Sequence, residues 1–261
     1  MKRGHWLGTA IPPVIVLLAV AITVELVVRL DHVPAYTFPS TSAVVLALGT
    51  HWRDLSASLW TTAQGALIGF AASAIFGIAA AIVLASSVWI RRAFYPYTIF
   101  FQTVPIIAIA PLLVFWLSAG LEAVAMSAFI VSVFPVIAST LNGLLSTDPA
   151  LVDLFRLYRA GPVARLLKLR LPAALPDILV GLRVAAGLAV IGTVVSEFLV
   201  GTLGNSEGLG VRIVSGVKYG HPDVVFAAVL LVSGLGLALF GAVNLVGHLL
   251  LRRWHASEQN A

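Results

Sequence analysis

A basic, leucine-rich segment at residues 153–176 holds the side chains most able to bind a partner. It reads Asp-Leu-Phe-Arg-Leu-Tyr-Arg-Ala-Gly-Pro, then Val-Ala-Arg-Leu-Leu-Lys-Leu-Arg, then Leu-Pro-Ala-Ala-Leu-Pro. Arginines and lysines among regularly spaced leucines favour one of two uses. The segment either docks onto a soluble protein, or lies as an amphipathic hairpin on lipid headgroups.

Turn and cap residues divide this segment into two helices. Asp148 and Pro149 can begin the first helix, whose apolar face consists of Leu151, Leu154, Phe155 and Tyr158. Gly161 suits the left-handed residue after a helix, and Pro162 suits the first turn of the next. We expect the second helix over 162–170, with Pro172 and Pro176 turning the chain back toward the membrane.

Polar residues inside apolar runs are the second candidate for function. Gln102, Thr103, Pro105 and Pro111 lie in one such run, and a proline there frees backbone groups that must face protein or a watery cavity. Residues 102–111 therefore either line a translocation path or form a plain kinked packing helix. Glu197 lies near the end of another run, before a glycine-rich loop, and either reaches the interface or lines the mouth of the path.

The remaining polar residues do not indicate catalysis. Glu25 lies four residues before Arg29, the spacing of a local ion pair. The sequence has no metal-ligand constellation, no supported nucleophile–base pair and no phosphate-binding Walker A sequence. We expect no enzyme activity and no cofactor in this chain, so any ATP hydrolysis must come from another subunit.

The composition is that of an integral membrane protein. The 261 residues are 60% hydrophobic and 10% charged, whereas a soluble domain has about 25% charged residues. The net charge of +5 fits basic loops at the negative side of a membrane better than a nucleic-acid-binding face. The absence of Cys excludes disulfides and thiolate metal sites.

Six apolar runs are long enough to cross a bilayer, which takes about 20 residues. They cover approximately 11–30, 60–86, 94–117, 122–145, 178–200 and 224–251. Lys2 and Arg3 allow a signal peptide, but Pro12, Pro13 and the charges in the first run favour a retained span. We predict an all-α integral membrane protein with a single transmembrane domain over 1–261 and a cytoplasmic loop over 146–177.

The distribution of Lys and Arg predicts the orientation. With the N-terminus in the cytoplasm and six alternating spans, twelve of the 16 basic residues are cytoplasmic. The outer side then holds only Arg29, Arg53, Arg212 and Lys218. This asymmetry follows the positive-inside rule and predicts that both termini are cytoplasmic.

Small residues recur at four-residue spacing, which lets helix backbones approach closely in lipid. The second run carries the longest such series: Gly65, Gly69, Ser73, Gly77, Ala81 and Ala85. Shorter series are Gly181, Ala185 and Ala189 in the fifth run, and Gly234, Ala238 and Ala242 in the sixth. We expect three helix-packing seams. Residues 43–48, apolar but short, are expected at the interface or on the bundle.

The cytoplasmic loop resembles the EAA loop of ABC importer permeases. That pattern is Glu-Ala-Ala, three residues, Gly, nine residues, an apolar residue, any residue and Leu-Pro. Anchored on Leu171-Pro172, it places the apolar residue at Leu169, Gly at Arg159 and Glu-Ala-Ala at Asp153-Leu154-Phe155. Because the Gly position holds Arg, the turn is expected to have shifted to Gly161.

Further motifs are similar to the nitrate/sulfonate/taurine-type permeases. They are Leu-Pro-Ala-Ala-Leu-Pro followed by residues 177–183, Pro39-Ser40, Pro105 with Pro111, and Ser196-Glu197 leading to Gly208-Leu209-Gly210. The resemblance implies a type I ABC importer permease fold in the bacterial inner membrane. Its implied partners are a second permease chain, two ATP-binding subunits and an extracytoplasmic solute-binding protein.

The resemblance also implies which residues couple to the ATPase. They are Asp153, Leu154, Phe155, Arg159, Ala160, Gly161, Pro162 and Arg165. The implied solute is small: nitrate, a sulfonate, taurine, a pyrimidine precursor or a vitamin. Two other functions stay open, a secondary carrier or channel without an ATPase, and a membrane scaffold without transport. The carrier requires a titratable group at mid-membrane, whereas Glu25 and Glu197 lie toward the ends of their runs.

Overall fold

Helices make up every regular element of the computed structural model in its described residues, 5–31, 33–34, 36–202 and 207–251. Four of the twelve basic residues assigned to the cytoplasm, Lys2, Arg3, Arg252 and Arg253, lie outside these ranges. The helices are α1 His5–Leu30, α2 Thr41–Thr50, α3 Trp52–Ser86, α4 Val88–Thr103, α5 Ile106–Leu117, α6 Leu121–Leu145, α7 Pro149–Leu157, α8 Pro162–Arg165, α9 Leu171–Thr202, α10 Leu209–Tyr219 and α11 Pro222–Leu251. A π-helical turn at Leu166–Arg170 joins α8 to α9.

Five continuous helical segments in the described chain are long and apolar enough to cross a membrane. They contain α1, α3, α6, α9 and α11. The pair α4 and α5 together passes the same test but is bent by 94° at Val104 and Pro105. The third run is therefore not the continuous kinked helix that its prolines suggested. Pro105 precedes α5, whereas Pro111 lies within it.

Glycine contacts give the relative directions of the central helices. A Cβ on Gly65 would lie 2.7 Å from Val124 Cγ1, and one on Gly77 would lie 2.8 Å from Val136 Cγ1. Twelve residues along α3 thus correspond to twelve along α6, so these two helices run parallel. The chain between them, residues 87–120, must connect opposite ends of the bundle, and α4 with α5 makes that connection.

Helix α9 runs antiparallel to α6. Its Gly181 lies against Ser139 of α6, and its Gly192 against Ala128. The main core lies at one end of this contact, where Leu141 and Leu144 of α6 pack with Ala174 and Ile178 of α9. The backbones approach closely because small residues occupy the seams, as expected for helices in lipid.

The α3 series predicted from sequence is confirmed as a packing seam, since all six of its residues are buried. The series in α11 is wrong for this chain, because Gly234, Ala238 and Ala242 lie on its exposed face. Helix α11 instead buries Leu239 and Val243 against Ala186 and Val190 of α9. The spacing of small residues alone does not show which face meets a neighbour.

The predicted turn at Pro172 and Pro176 is also wrong. The helix continues from Pro162 to Gly201 as one segment of 40 residues. The π turn immediately before Pro172 accommodates the proline ring within the continuous helix. There the Leu171 N–H donates to the carbonyl of Leu166, five residues back, which moves the carbonyls out of the α-helical register that a proline ring obstructs.

The amino-terminal part packs differently from the core. Helix α1 buries none of its apolar segment within this chain. Its Glu25 accepts hydrogen bonds from Arg29 Nε at 2.7 Å and from Ser42 N at 3.0 Å, which confirms the local pair and joins α1 to α2. Helix α2 packs on the bundle through Val44 and Ala47, beside Leu55 and Ala227.

Candidate functional site

Helix α7 projects the candidate docking surface away from the bundle. Its amino-terminal cap is Asp148, whose side chain accepts a hydrogen bond from Ala150 N at 2.8 Å, and Pro149 occupies the first turn as expected. The helix buries none of its residues. Leu157 is 81% exposed and Tyr158 79%, so a continuous apolar surface faces outward.

The turn after α7 does not use its glycine as the sequence suggested. Arg159 has a positive φ of 49°, whereas Gly161 is extended, at φ −64° and ψ 165°, and precedes α8. Ala160 N donates to Phe155 O at 2.9 Å, and Arg159 N donates to Arg156 O at 2.9 Å. These are the two hydrogen bonds of a Schellman motif. The left-handed residue therefore lies where the EAA pattern has Gly, and the expected shift to Gly161 is wrong.

The other coupling candidates divide into two environments. Asp153 and Leu154 are exposed on α7, and Asp153 accepts a hydrogen bond from Arg156 Nη1 at 2.9 Å. Gly161 and Pro162 are exposed, while Phe155 and Ala160 are half-buried. Arg165 is also half-buried, and its Nε is enclosed without a hydrogen-bond partner. Arg165 thus faces the end of the bundle more than the exposed surface of α7.

Gln102, Thr103 and Pro105 lie together at the break between α4 and α5. All three are exposed in this chain. Thr103 Oγ1 donates to the carbonyl of Phe100 at 2.7 Å within its own helix. The residue before a proline is disfavoured in helical geometry, and Val104 accordingly adopts an extended ψ of 122°. The break presents these polar side chains next to the apolar start of α5.

Glu197 is fully buried where α3, α9 and α10 meet. Its Oε2 accepts a hydrogen bond from Gly210 N at 2.8 Å, and Thr62 Oγ1 lies 2.9 Å from Oε1. The Leu209 N–H donates to Thr62 Oγ1 at 2.8 Å. Two of the free N–H groups at the start of α10 are therefore bound by side chains of other helices, and the carboxylate lies at the favourable end of the helix dipole.

The Gly208-Leu209-Gly210 motif fits this carboxylate closely. A Cβ on Gly208 would overlap the carboxyl group of Glu197, and one on Gly210 would lie 2.7 Å from the Glu197 Cβ. The glycines allow the amino-terminal end of α10 to approach Glu197. Burial and hydrogen bonding favour a positioning role for Glu197 over direct contact with a solute, and a path-lining role for it stays a prediction.

Sequence reasoning missed Thr62 as a member of this group. It lies on α3, 135 residues before Glu197, and is fully buried. A hydroxyl inside an apolar span, three residues before the first glycine of the seam, was the available signal. Ser58, one turn earlier, extends the group because its Oγ accepts a hydrogen bond from Arg212 Nε at 3.0 Å.

Residues 73–252 match the family described as binding-protein-dependent transport system inner membrane component. A probable ABC transporter permease protein of Haemophilus influenzae is 36% identical over 228 residues, covering 86% of this chain and 90% of the relative. The formylaminopyrimidine transport permease protein ThiX of Halalkalibacterium halodurans is 33% identical over 261 residues, covering 96% and 98%.

Solved structures support the fold. The MetNI methionine ABC transporter, in an inward-facing conformation, contains a chain that matches with a TM-score of 0.61 at 19% identity. The match covers 75% of this chain and 95% of that one. At this identity the similarity shows the type I importer fold alone. The family match over most of the chain and the 36% identical relative are sufficient for assignment: the protein belongs to the binding-protein-dependent inner membrane components, the permeases of ABC transporters.

Proposed function

We propose that this permease is the membrane subunit of an ATP-driven importer and that α7 with the following turn docks into the ATPase subunit. The observation that carries the proposal is the exposed α7, an amphipathic helix that buries none of its residues in this chain. The family and the MetNI likeness favour an assembly of two permease chains, two ATP-binding subunits and a solute-binding protein.

The coupling surface consists of Asp153, Leu154, Phe155, Arg159, Ala160, Gly161, Pro162 and Arg165. When a short helix is bound in a cleft of the ATPase, nucleotide-driven closure of the ATPase subunits moves that helix. The movement is transmitted to the transmembrane bundle as a rocking motion. The covalent chemistry of ATP hydrolysis belongs to the partner. Because Leu154 and Phe155 replace the small residues of the EAA pattern, the cleft that receives α7 must be wider than one shaped for alanines.

The chain crosses the membrane six times, with α4 and α5 together forming one crossing. The parallel arrangement of α3 and α6 supports this count. The N-terminus, α7 and the C-terminus lie in the cytoplasm of a bacterial inner membrane, and α10 lies at the outer side. The excess of Lys and Arg in the segments assigned to the cytoplasm supports this orientation.

The solute passes beside the break between α4 and α5, where Gln102, Thr103 and Pro105 supply polar groups. Glu197 acts at the outer end of the path by holding α10 in place. The transported molecule is a small solute. Relatives include permeases named for formylaminopyrimidine, riboflavin and aliphatic sulfonates, so solute choice is expected to lie with the binding protein.

Exposed leucines of α7 provide the direct test of docking. Replacing both Leu154 and Leu157 by Asp removes apolar area that the ATPase would cover and should weaken co-purification with the ATPase subunit by about tenfold or more. Val217→Asp is the matched control, because Val217 is 69% exposed on α10 at the opposite end of the bundle. If the double variant retains the ATPase as fully as the control, α7 is not the docking site.

A further inference from the structure

A cavity of about 320 Å³ lies between the end of α3 and the start of the α8–π-turn segment. Its two charged lining residues are Arg165 and Arg170, and Ile82, Val163 and Leu166 form an apolar wall. Ligand pockets in proteins range from about 300 to 1,000 Å³, so the space is sufficient for a small anionic group with an apolar extension.

The arginines of this cavity lack a counter-charge. Arg165 Nε is enclosed and has no hydrogen-bond partner in the described chain. The ion pairs of the described residues are Glu25–Arg29 and Asp153–Arg156, and neither involves Arg165 or Arg170. Guanidinium groups that line a cavity without a carboxylate partner are suited to bind an anion from outside the chain.

The position of the cavity favours a lipid over a soluble anion. The apolar α3 ends at Ser86, which itself lines the cavity. The site is therefore at the level where a span passes into water. Trp89, 82% exposed, lies three residues further along the chain, in the first turn of α4, and aromatic residues are frequent at headgroup depth. Basic pockets between transmembrane helices on the cytoplasmic side bind anionic headgroups.

We propose that this cavity binds the phosphate of an anionic phospholipid, with Arg165 and Arg170 on the headgroup and the acyl chain against Ile82, Val163 and Leu166. The inference rests on the cytoplasmic placement proposed above, and it assigns Arg165, which the coupling proposal also includes, to the lipid rather than to the ATPase. The bound lipid fills the wedge between α3 and the base of α9. It thereby links the membrane to the segment that follows the coupling turn.

Lipid titration of the purified full-length chain tests this site. Native mass spectrometry should show phosphatidylglycerol retained in preference to phosphatidylcholine. The double variant Arg165→Ala with Arg170→Ala should lose about tenfold in retained phosphatidylglycerol, the effect of about 1.4 kcal/mol. Lys168→Ala is the matched control, since Lys168 is a cation between the two arginines but is exposed and does not line the cavity.

Arg165→Lys keeps the charge and most of the packing, and should retain an intermediate amount of the lipid in a folded, monodisperse protein. Equal losses in the Lys168 control, or equal retention of phosphatidylcholine, would overturn the proposal. Displacement of the lipid by inorganic phosphate at millimolar concentration would assign the cavity to a free anion instead. If the double variant binds phosphatidylglycerol normally but loses the ATPase subunit, the arginines form a protein contact and the lipid site is wrong.

Discussion

At Arg159 the side chain departs from the motif, but the backbone keeps the left-handed conformation that the motif's glycine would adopt. The EAA pattern has Gly at this position, and here the backbone is left-handed with an arginine in place. A non-glycine residue in this region costs about 1–2 kcal/mol, and the two Schellman hydrogen bonds help to offset that cost. The strain is therefore located at the joint between the two coupling helices.

Arg159→Gly should stabilise the end of α7 by about 1 kcal/mol, because glycine adopts a positive φ without the Cβ clash. Hydrogen exchange of the α7 amides should slow accordingly. Arg156→Gly is the charge-matched control: it lies inside the helix and should destabilise α7 by about 1 kcal/mol. If both variants speed exchange equally, the left-handed turn at position 159 is wrong.

Glu197 is a second single residue with a large expected effect, and its partner Thr62 is distant in the sequence. Glu197→Ala would leave Gly210 N–H without its acceptor, while the Thr62 hydroxyl would keep only the carbonyl of Ser58. An unpaired buried polar group costs about 1–3 kcal/mol. We expect a lower thermal midpoint and faster hydrogen exchange in the first turn of α10. Glu197→Gln should retain most of the protection, because its amide oxygen can still accept from Gly210.

Glu207→Ala provides the comparison for Glu197. It removes a carboxylate close to the same helix, but Glu207 is exposed, so α10 should keep its protection. A loss as large as that of Glu197→Ala would mean that general charge near α10, rather than the buried hydrogen bonds, holds the helix.

At the scale of elements, the α3–α6 seam determines the architecture. Gly69 lies closest to α6: an added Cβ would contact Ala128 Cβ and lie 2.6 Å from the carbonyl oxygen of Ala125 and 2.9 Å from Phe129 N. Two of these neighbours are backbone atoms, so no side-chain rotation relieves the overlap. The two helices would have to separate.

Gly69→Ala should therefore lower the free energy of unfolding by about 1–3 kcal/mol. The matched control is Gly187→Ala on α9, where an added Cβ meets no atom within 4 Å. That variant should be neutral or stabilising, since alanine is favoured over glycine in a helix by about 1 kcal/mol. Thermal midpoints in one detergent compare the two. A lower midpoint for Gly187→Ala than for Gly69→Ala would contradict the seam.

At the scale of the whole molecule, we expect α7 and α10 to lie on opposite sides of the membrane. The chain has no Cys, so single cysteines report their side of the membrane without background labelling. In intact cells, Val217→Cys should react with an impermeant maleimide, and Tyr158→Cys should react only after permeabilisation. Both side chains are largely exposed, so reagent access does not limit either site. Labelling of Tyr158→Cys from outside would reverse the orientation and remove the coupling proposal.

The sequence by itself determined the local features of this protein. Apolar run lengths predicted the membrane-spanning helices, and four-residue spacing predicted the α3 seam. The prolines of the third run predicted a kink but not the 94° break between α4 and α5. These features depend on residues within a few turns of one another. The EAA register likewise identified position 159, although the residue there suggested that the turn had moved.

Only the tertiary structure decided which elements meet. The parallel direction of α3 and α6, the pairing of Glu197 with Thr62 and the exposed small-residue face of α11 all depend on contacts between distant segments. The continuation of the helix through Pro172 was also visible only in the structure, because residue types do not predict a π turn. Hydrophobic periodicity specifies that a face is buried, but in lipid, where every neighbour is apolar, close backbone fit selects the partner.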